Sequence, residues 1–208
     1  MVITWYGEGC FKIQSGESVV LTDPFEPNSG LTAPRFKADI ILKTLSPFPL
    51  AETSLDDTEK IVFGAGEYNF KDINIWGFNL EKESTENFIK SSYLIEIENI
   101  KLFLMGHASE TPEPSVLERL EDVGILIIPG GGKPFINQKI AVKTIKQIEP
   151  KIVIPSFYKI PGLKRTAEDL KEFLEEFNHK KYEPQEKLTI KNKELSEIKS
   201  TQIVILKN

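Results

Sequence analysis

Histidine is almost missing from this chain: of 208 residues, only His107 and His179 carry an imidazole. Cysteine is scarcer, with Cys10 alone. A single cysteine excludes an intramolecular disulfide and suits a reducing compartment. The two scarcities also bear on metals. A zinc centre takes about three or four His, Cys or carboxylate ligands, and His107, His179 and Cys10 are widely separated and barely supply one set. No apolar run approaches the roughly 18 residues of a membrane-spanning helix. The start MVITWYGEGC has neither the charged region nor the apolar stretch of a secretory signal. The expectation is a cytosolic protein with no membrane partner. A basic excess is lacking too: 26 Lys and Arg stand against 31 Asp and Glu, a formal charge of −5. That balance argues against a nucleic-acid-binding face.

What is present suits one globular domain over residues 1–208, without repeats, low-complexity tracts or a linker. The first third reads as strands at Val2–Trp5, Cys10–Gln14 and Glu17–Thr22, with a hairpin turn at Ser15-Gly16. Phe11 and Ile13 share one face of the second strand, and Lys12 and Gln14 the other. Residues 26–37, with two prolines and Asn28-Ser29-Gly30, read as loop. Asp39–Lys43 is a buried strand that runs into a loop from Thr44 to Leu50. Further strands are expected at Ile61–Phe63, Ile73–Trp76, Ser92–Ile97 and Lys101–Met105, with 82–90 a polar loop. From there strands alternate with helices, which argues an α/β segment. A helix capped by Thr111 with Pro112 at its first position carries Val116, Leu117 and Leu120. Ile125–Ile128 is a strand, and Asn137 caps a helix with Ile140, Ala141, Ile145 and Ile148 on one face. Lys151–Pro155 is the next strand. Thr166 and Asp169 open a long helix through Asn178, and strands at Leu188–Lys191 and Gln202–Leu206 close the chain.

Several motifs sit on this scaffold: ITWYGEGCFKI, then VVLTDPF, GAGEY at 64–68, LFLMGH at 102–107 and IEPKIVIPSFYKIPG at 148–162. Together they resemble the metallo-β-lactamase superfamily, and within it the small branch of Zn-dependent hydrolases related to ascorbate-6-phosphate lactonases. The resemblance runs from Ile3 to about Gly162. It implies an α/β (α+β) fold, a four-layer αββα sandwich, which periodicity alone does not choose. In that branch the strand after Asp39 ends in Thr-His-x-His-x-Asp-His. Here Thr44 is kept, while Leu45, Pro47, Pro49 and Leu50 stand at the four ligand positions, and none of these side chains can ligate. The early Gly-His is Gly7-Glu8, residues 79–87 lack the branch's His-Asp pair, His107 replaces the aspartate of Gly-Asp, and Phe157 replaces the histidine of Ile-Pro-x-His-Tyr-Lys.

The resemblance therefore implies a site stripped of metal: Glu8, Asp23, Thr44, Leu45, Pro47, Pro49, Leu50, Glu67, His107, Phe157 and Tyr158 are its expected remnants. In the family, bound metal lowers the pKa of a water. Here no metal is expected, with zinc at a shifted loop the alternative. Asp23, in the retained Thr-Asp-Pro, is expected to orient its neighbouring loop, and Glu67 to serve structure. Glu8, Asp23 and His107 could converge for acid–base work, while a lone histidine is more often structural. His179 follows a helix end, where a cation suits the dipole. Glu52, Asp56, Asp57 and Glu59 match no calcium loop and read as a solvated turn. Gly130-Gly131-Gly132 lacks the Walker lysine and reads as a tight turn. Cys10 carries no mark of a reactive thiol.

The leading expectation is a non-catalytic binding or assembly protein, pairing with copies of itself or with an active relative. The alternative is a hydrolase of a small lactone, phosphoester or ester with a rebuilt site. A nucleic-acid-processing accessory is a third reading, disfavoured by the charge.

Overall fold

The computed structural model describes residues 1–25, 28–49, 60–177 and 182–208. In chain order the first strands are β1 (Val2–Trp5), β2 (Phe11–Ser15), β3 (Ser18–Thr22), β4 (Ile40–Lys43), β5 (Leu45–Pro47), β6 (Lys60–Phe63) and β7 (Gly66–Phe70). They are followed by β8 (Ile73–Asn79), β9 (Phe88–Ile97), β10 (Ile100–Leu104), β11 (Ile125–Pro129), β12 (Ile152–Ser156), β13 (Leu188–Thr189) and β14 (Gln202–Ile203). The α-helices among the described residues are α1 (Pro114–Leu117), α2 (Gln138–Ile148), α3 (Lys171–Glu176) and α4 (Asn192–Glu197).

The strands form two sheets, and β1, β2 and β8 alternate buried and part-exposed residues as strands with one covered face do. One has the order β13-β1-β2-β3-β4-β6, and β3, β4 and β6 run parallel in it. The other has the order β14-β12-β11-β10-β9-β8-β7, with β5 paired to β9 outside that path. Ile3, Phe11, Ile13, Val20, Ile40 and Leu42 of the first sheet share one core with residues of the second. Inside the second sheet, β11 and β12 are buried along their whole length. Their continuous apolar runs fit parallel strands covered on both faces. Each fully buried Ile or Leu there contributes about 2 kcal/mol of transfer free energy. The outer face of the first sheet carries a smaller cluster, in which Cys10, Val19, Leu21, Ala38 and Ile41 pack against Tyr6, Phe25 and Phe36.

Strand β5 lies where a loop is expected. Its burial alternates exposed, buried, exposed, and it pairs antiparallel with the start of β9 (Leu45↔Lys90, Ser46↔Ile89, Pro47↔Phe88). Pro47 is tolerated because the strand is outside the main path and its missing N–H breaks no central ladder. The same pairing draws β9 back to Phe88, so the expected polar loop shrinks to a 3₁₀ turn at Glu81–Glu83 and a short connection. β7 escapes the sequence pattern because Glu67 and Asn69 are poor strand formers.

Among the helices, α2 starts where Asn137 predicts, its side chain accepting from Lys139 N at 3.0 Å. Its inner face is Ala141, Val142 and Ile145, whereas Ile140 is 41% exposed. α1 starts later than expected, with Glu113 at its N-cap and Pro114 inside. Thr111 instead shares a 2.7 Å hydrogen bond between its hydroxyl and that of Thr144. α3 is a six-residue helix, because the chain before it turns through backbone bonds between Glu168 and both Gly131 and Lys159. Asn178 and His179 lie outside the described residues. The expected strand at 188–191 ends at Thr189, and the short α4 that follows buries only Leu195, too few apolar positions to show in the sequence. The final strand ends at Ile203, with Leu206 bridging Gln185.

Candidate functional site

The parallel strands β3, β4, β10 and β12 deliver their carboxyl ends to one crevice, the usual position for a site in α/β sheets. β3 delivers Asp23, β4 delivers Thr44, β10 delivers Gly106 and His107, and β12 delivers Phe157; the β1–β2 turn adds Glu8. Three of these, Glu8, Asp23 and Phe157, hold positive φ angles of 51°, 37° and 55°. Side chains rarely adopt that region, so the backbone here is over-determined by its surroundings. Two glycines permit the close packing. A Cβ on Gly106 (φ +59°) would come within 2.4 Å of Thr44 side-chain atoms, and one on Gly9 would approach Phe157 to 2.6 Å and Asp23 Oδ2 to 2.8 Å.

Thr44 is fully buried and joins two ionisable groups. Its backbone N–H donates to Asp23 Oδ1 at 2.7 Å, and its hydroxyl lies 2.6 Å from Asp23 Oδ2 and 2.6 Å from His107 Nδ1. The hydroxyl has one proton. When it donates to an ionised Asp23, it can only accept from His107, which fixes the Nδ1–H tautomer and leaves Nε2 with a lone pair. Burial raises the Asp23 carboxyl above its ordinary value, against the pull of His107 and the two Thr44 bonds. Burial likewise lowers His107, against the opposing charge of Asp23. Desolvation leads in both cases and favours the neutral forms. The ring of His107 is wedged edge-on against Phe157 (4.8 Å between centroids) and Phe135 (5.7 Å).

Glu8 is committed elsewhere. Arg165 grips it with two bonds, Nε to Oε2 at 2.9 Å and Nη2 to Oε1 at 2.8 Å. The same guanidinium donates to the carbonyls of Phe157 (3.1 Å) and Thr166 (2.9 Å) and lies 5.0 Å from the Phe135 ring centroid. This fork geometry suits arginine and no other cation.

A cavity of about 260 Å³ opens at this point. Of the expected remnants, Glu8, Asp23, Leu45, Pro47, His107 and Phe157 line it, and Thr44 lies beneath. Phe157 is 2% exposed, while Leu45 is 39% exposed and Pro49, two residues beyond β5, is exposed and does not line the cavity. Leu50 lies outside the described residues, as do Glu52, Asp56, Asp57 and Glu59. Glu67 is not in the cavity: it points outward from β7, 3.5 Å from Arg119. Tyr158 is buried, its ring tilted by 31° to that of Trp5 at 4.7 Å between centroids, with its hydroxyl donating to Leu206 O. The sequence reading missed Arg165, Lys43 and Phe25. Lys43 and Phe25 line the cavity, flanking Thr44 and Asp23, and only that adjacency could have flagged them. Nothing in the sequence near Arg165 signals its partner 157 residues away.

Residues 2–156 match the family model described as a beta-lactamase superfamily domain. The chain belongs to this family. The metallo-β-lactamase fold is shared with solved structures. One is described as a Zn-dependent hydrolase of the metallo-beta-lactamase superfamily from Thermotoga maritima, with a TM-score of 0.76 and 24% identity over 99% of this chain and 97% of that one. Another is Igni18, a metallo hydrolase from Ignicoccus hospitalis, with a TM-score of 0.62 and 14% identity over 91% and 99%. A third is an isothiocyanate hydrolase from Delia radicum gut bacteria, with a TM-score of 0.60 and 11% identity over 92% and 99%. No curated protein matches the chain by sequence.

A superfamily metal centre would need several convergent donors at the carboxyl ends of these strands. Among the described residues no group of three or more His, Cys, Asp or Glu side chains is placed to hold a metal ion. The donors that do converge are engaged: Glu8 by Arg165, and both Asp23 oxygens and His107 Nδ1 by Thr44. Among the described donors of the cavity only His107 Nε2 is left, and Lys43 brings a cation to the same cavity. This donor set does not fit zinc, which favours four ligands and gains nothing from a neighbouring ammonium. No helix among the described residues is long and apolar enough to cross a membrane.

Proposed function

We propose that this member of the superfamily works without the family's metal centre, as a non-catalytic binding or assembly protein. It is read here as one domain over residues 1–208, in the cytosol, with its position in the superfamily beside the ascorbate-6-phosphate lactonase branch and the ligand positions lost. The observation that carries the proposal is the bidentate Arg165–Glu8 pair, a guanidinium seated where a metal site would need electron donors. Leu45, Pro47 and Phe157 around it supply apolar wall in place of ligands. A second copy of the chain, or an active relative, is the partner this reading favours.

The test is the metal content of protein purified without chelators and of the same protein after loading with Zn²⁺ or Mn²⁺, alongside hydrolysis assays on a lactone, a phosphoester and a simple ester. Expected are substoichiometric metal and no turnover above buffer. Stoichiometric, tightly held metal with turnover would overturn the proposal.

One observation favours the second reading, a hydrolase of a small lactone, phosphoester or ester through a rebuilt site. His107 Nε2 is unpartnered among the described residues while Thr44 and Asp23 orient its ring. Turnover that persists in chelator and is lost in His107→Asn would establish it.

A further inference from the structure

We propose that the cavity at the carboxyl ends of β4 and β10 is a binding site for a small organic anion that carries a hydroxyl beside its carboxylate, held by Lys43 and by Nε2 of His107. The inference rests on the reading that this cavity holds no metal. Four features point to that ligand chemistry.

The first is a cation with no counter-charge bonded to it among the described residues. Both carboxylates of the cavity are already bonded, Glu8 to Arg165 and Asp23 to Thr44, whereas Lys43 has no ion-pair partner among the described residues. Lys43 is near enough to Asp23 to draw its carboxyl pKa downward, so its charge acts inside the cavity and not only in solvent.

The second is an oriented acceptor. The Thr44 hydroxyl donates its one proton to Asp23 Oδ2, so it accepts from Nδ1–H, and Nε2 keeps its lone pair. A ligand hydroxyl can donate to that nitrogen without any rearrangement of the buried groups. His107 is only 19% exposed, so the acceptor is presented from a nearly dry wall, where a hydrogen bond discriminates well.

The third is the wall itself. Phe25, Leu45, Pro47 and Phe157 surround the polar groups, the mostly apolar lining with few convergent polar atoms that marks small-molecule sites.

The fourth is size. A cavity of about 260 Å³ displaces about eight or nine waters at about 30 Å³ each, room for a molecule of about ten non-hydrogen atoms.

Mandelate has the carboxylate, the adjacent hydroxyl and an apolar ring, and serves as the probe. Phenylacetate lacks its hydroxyl, and benzyl alcohol lacks its charge. The full-length protein is titrated with each in chelator, followed by calorimetry and by the imidazole nitrogen signals of His107. Mandelate should bind at least about tenfold more tightly than either analogue, a difference of about 1.4 kcal/mol, and should shift the Nε2 signal. Lys43→Met should abolish the advantage over benzyl alcohol and Lys43→Arg should keep it. His107→Asn should remove the advantage over phenylacetate. Equal affinity for mandelate and both analogues, or no perturbation at His107, overturns this inference and leaves the metal-free reading standing. Mandelate binding that appears only once Zn²⁺ is added overturns both.

Discussion

One hydroxyl, that of Thr44, sits 2.6 Å from Asp23 Oδ2 and 2.6 Å from His107 Nδ1, and so serves two buried ionisable groups at once. Replacing it with an isostere removes both contacts without opening a cavity. Thr44→Val should destabilise the fold by about 1–3 kcal/mol, the cost of leaving buried polar groups unmatched. Thr44→Ser should lose less, since it keeps the hydroxyl. Urea unfolding midpoints at neutral pH compare the three proteins directly, and an unchanged midpoint in Thr44→Val would show that the chain of bonds carries no stability.

His107 sets a pH dependence of definite sign. Its pKa in the folded protein is depressed below the ordinary 6.5. The folded state therefore resists protonation more than the unfolded state does. Stability from this group is present above pH 6.5 and is lost as pH falls toward the depressed value. Asp23 acts oppositely: its raised pKa makes the protonated carboxyl the easier form to bury, so its contribution falls as pH rises through the raised value. The two contributions oppose each other below pH 6.5, so the His107 part is read by difference: on acidification over that interval the thermal midpoint of His107→Asn should fall less, or rise more, than that of wild type.

The Arg165–Glu8 fork yields a third expectation. The two side chains are 26% and 16% exposed, so water reaches them and the loss on breaking the pair is moderated. Arg165→Met should cost about 2 kcal/mol, because two hydrogen bonds to a charged group and two carbonyl contacts disappear together. The double variant Glu8→Gln with Arg165→Met should recover part of that loss. If the two single losses simply add in chemical denaturation, the pair is not coupled.

Much of the scaffold was legible because β1 and β2 alternate, β4, β11 and β12 are short apolar runs bounded by polar residues, and glycines mark sharp turns. β1 to β4, β10, β11 and β12 fall within a residue or two of their expected positions, and the Asn137 cap is where its side chain indicates. β5 was hidden: two prolines argue for loop, and only the partner strand β9, distant in sequence, makes Leu45–Pro47 extended. The convergence of Glu8, Asp23, Thr44, His107 and Phe157 followed from the family resemblance. The use made of Glu8 did not, since a long-range ion pair leaves no local pattern. Glu67 sits in a motif that looks like a site and instead faces Arg119 on an outer strand.

Cys10 gives a fourth expectation. It is fully buried, and desolvation, reinforced by the charge of Asp23, pushes its thiol up to about 12. The thiolate is the reactive form, so the native protein should resist a thiol-labelling reagent at pH 8 and react fully once unfolded in urea. Rapid labelling of the folded chain would show that its cover opens readily.

That cover has a second owner. Phe25 packs against the outer cluster that contains Cys10, and it also forms part of the cavity beside Asp23. An occupant pressed against its ring clamps both at once, since anything that binds only the closed state suppresses opening in proportion to its occupancy. The lone thiol is therefore a built-in clock for the pocket next door: its labelling half-time in the native protein should lengthen as the cavity fills, with no label or fluorophore placed in the site itself.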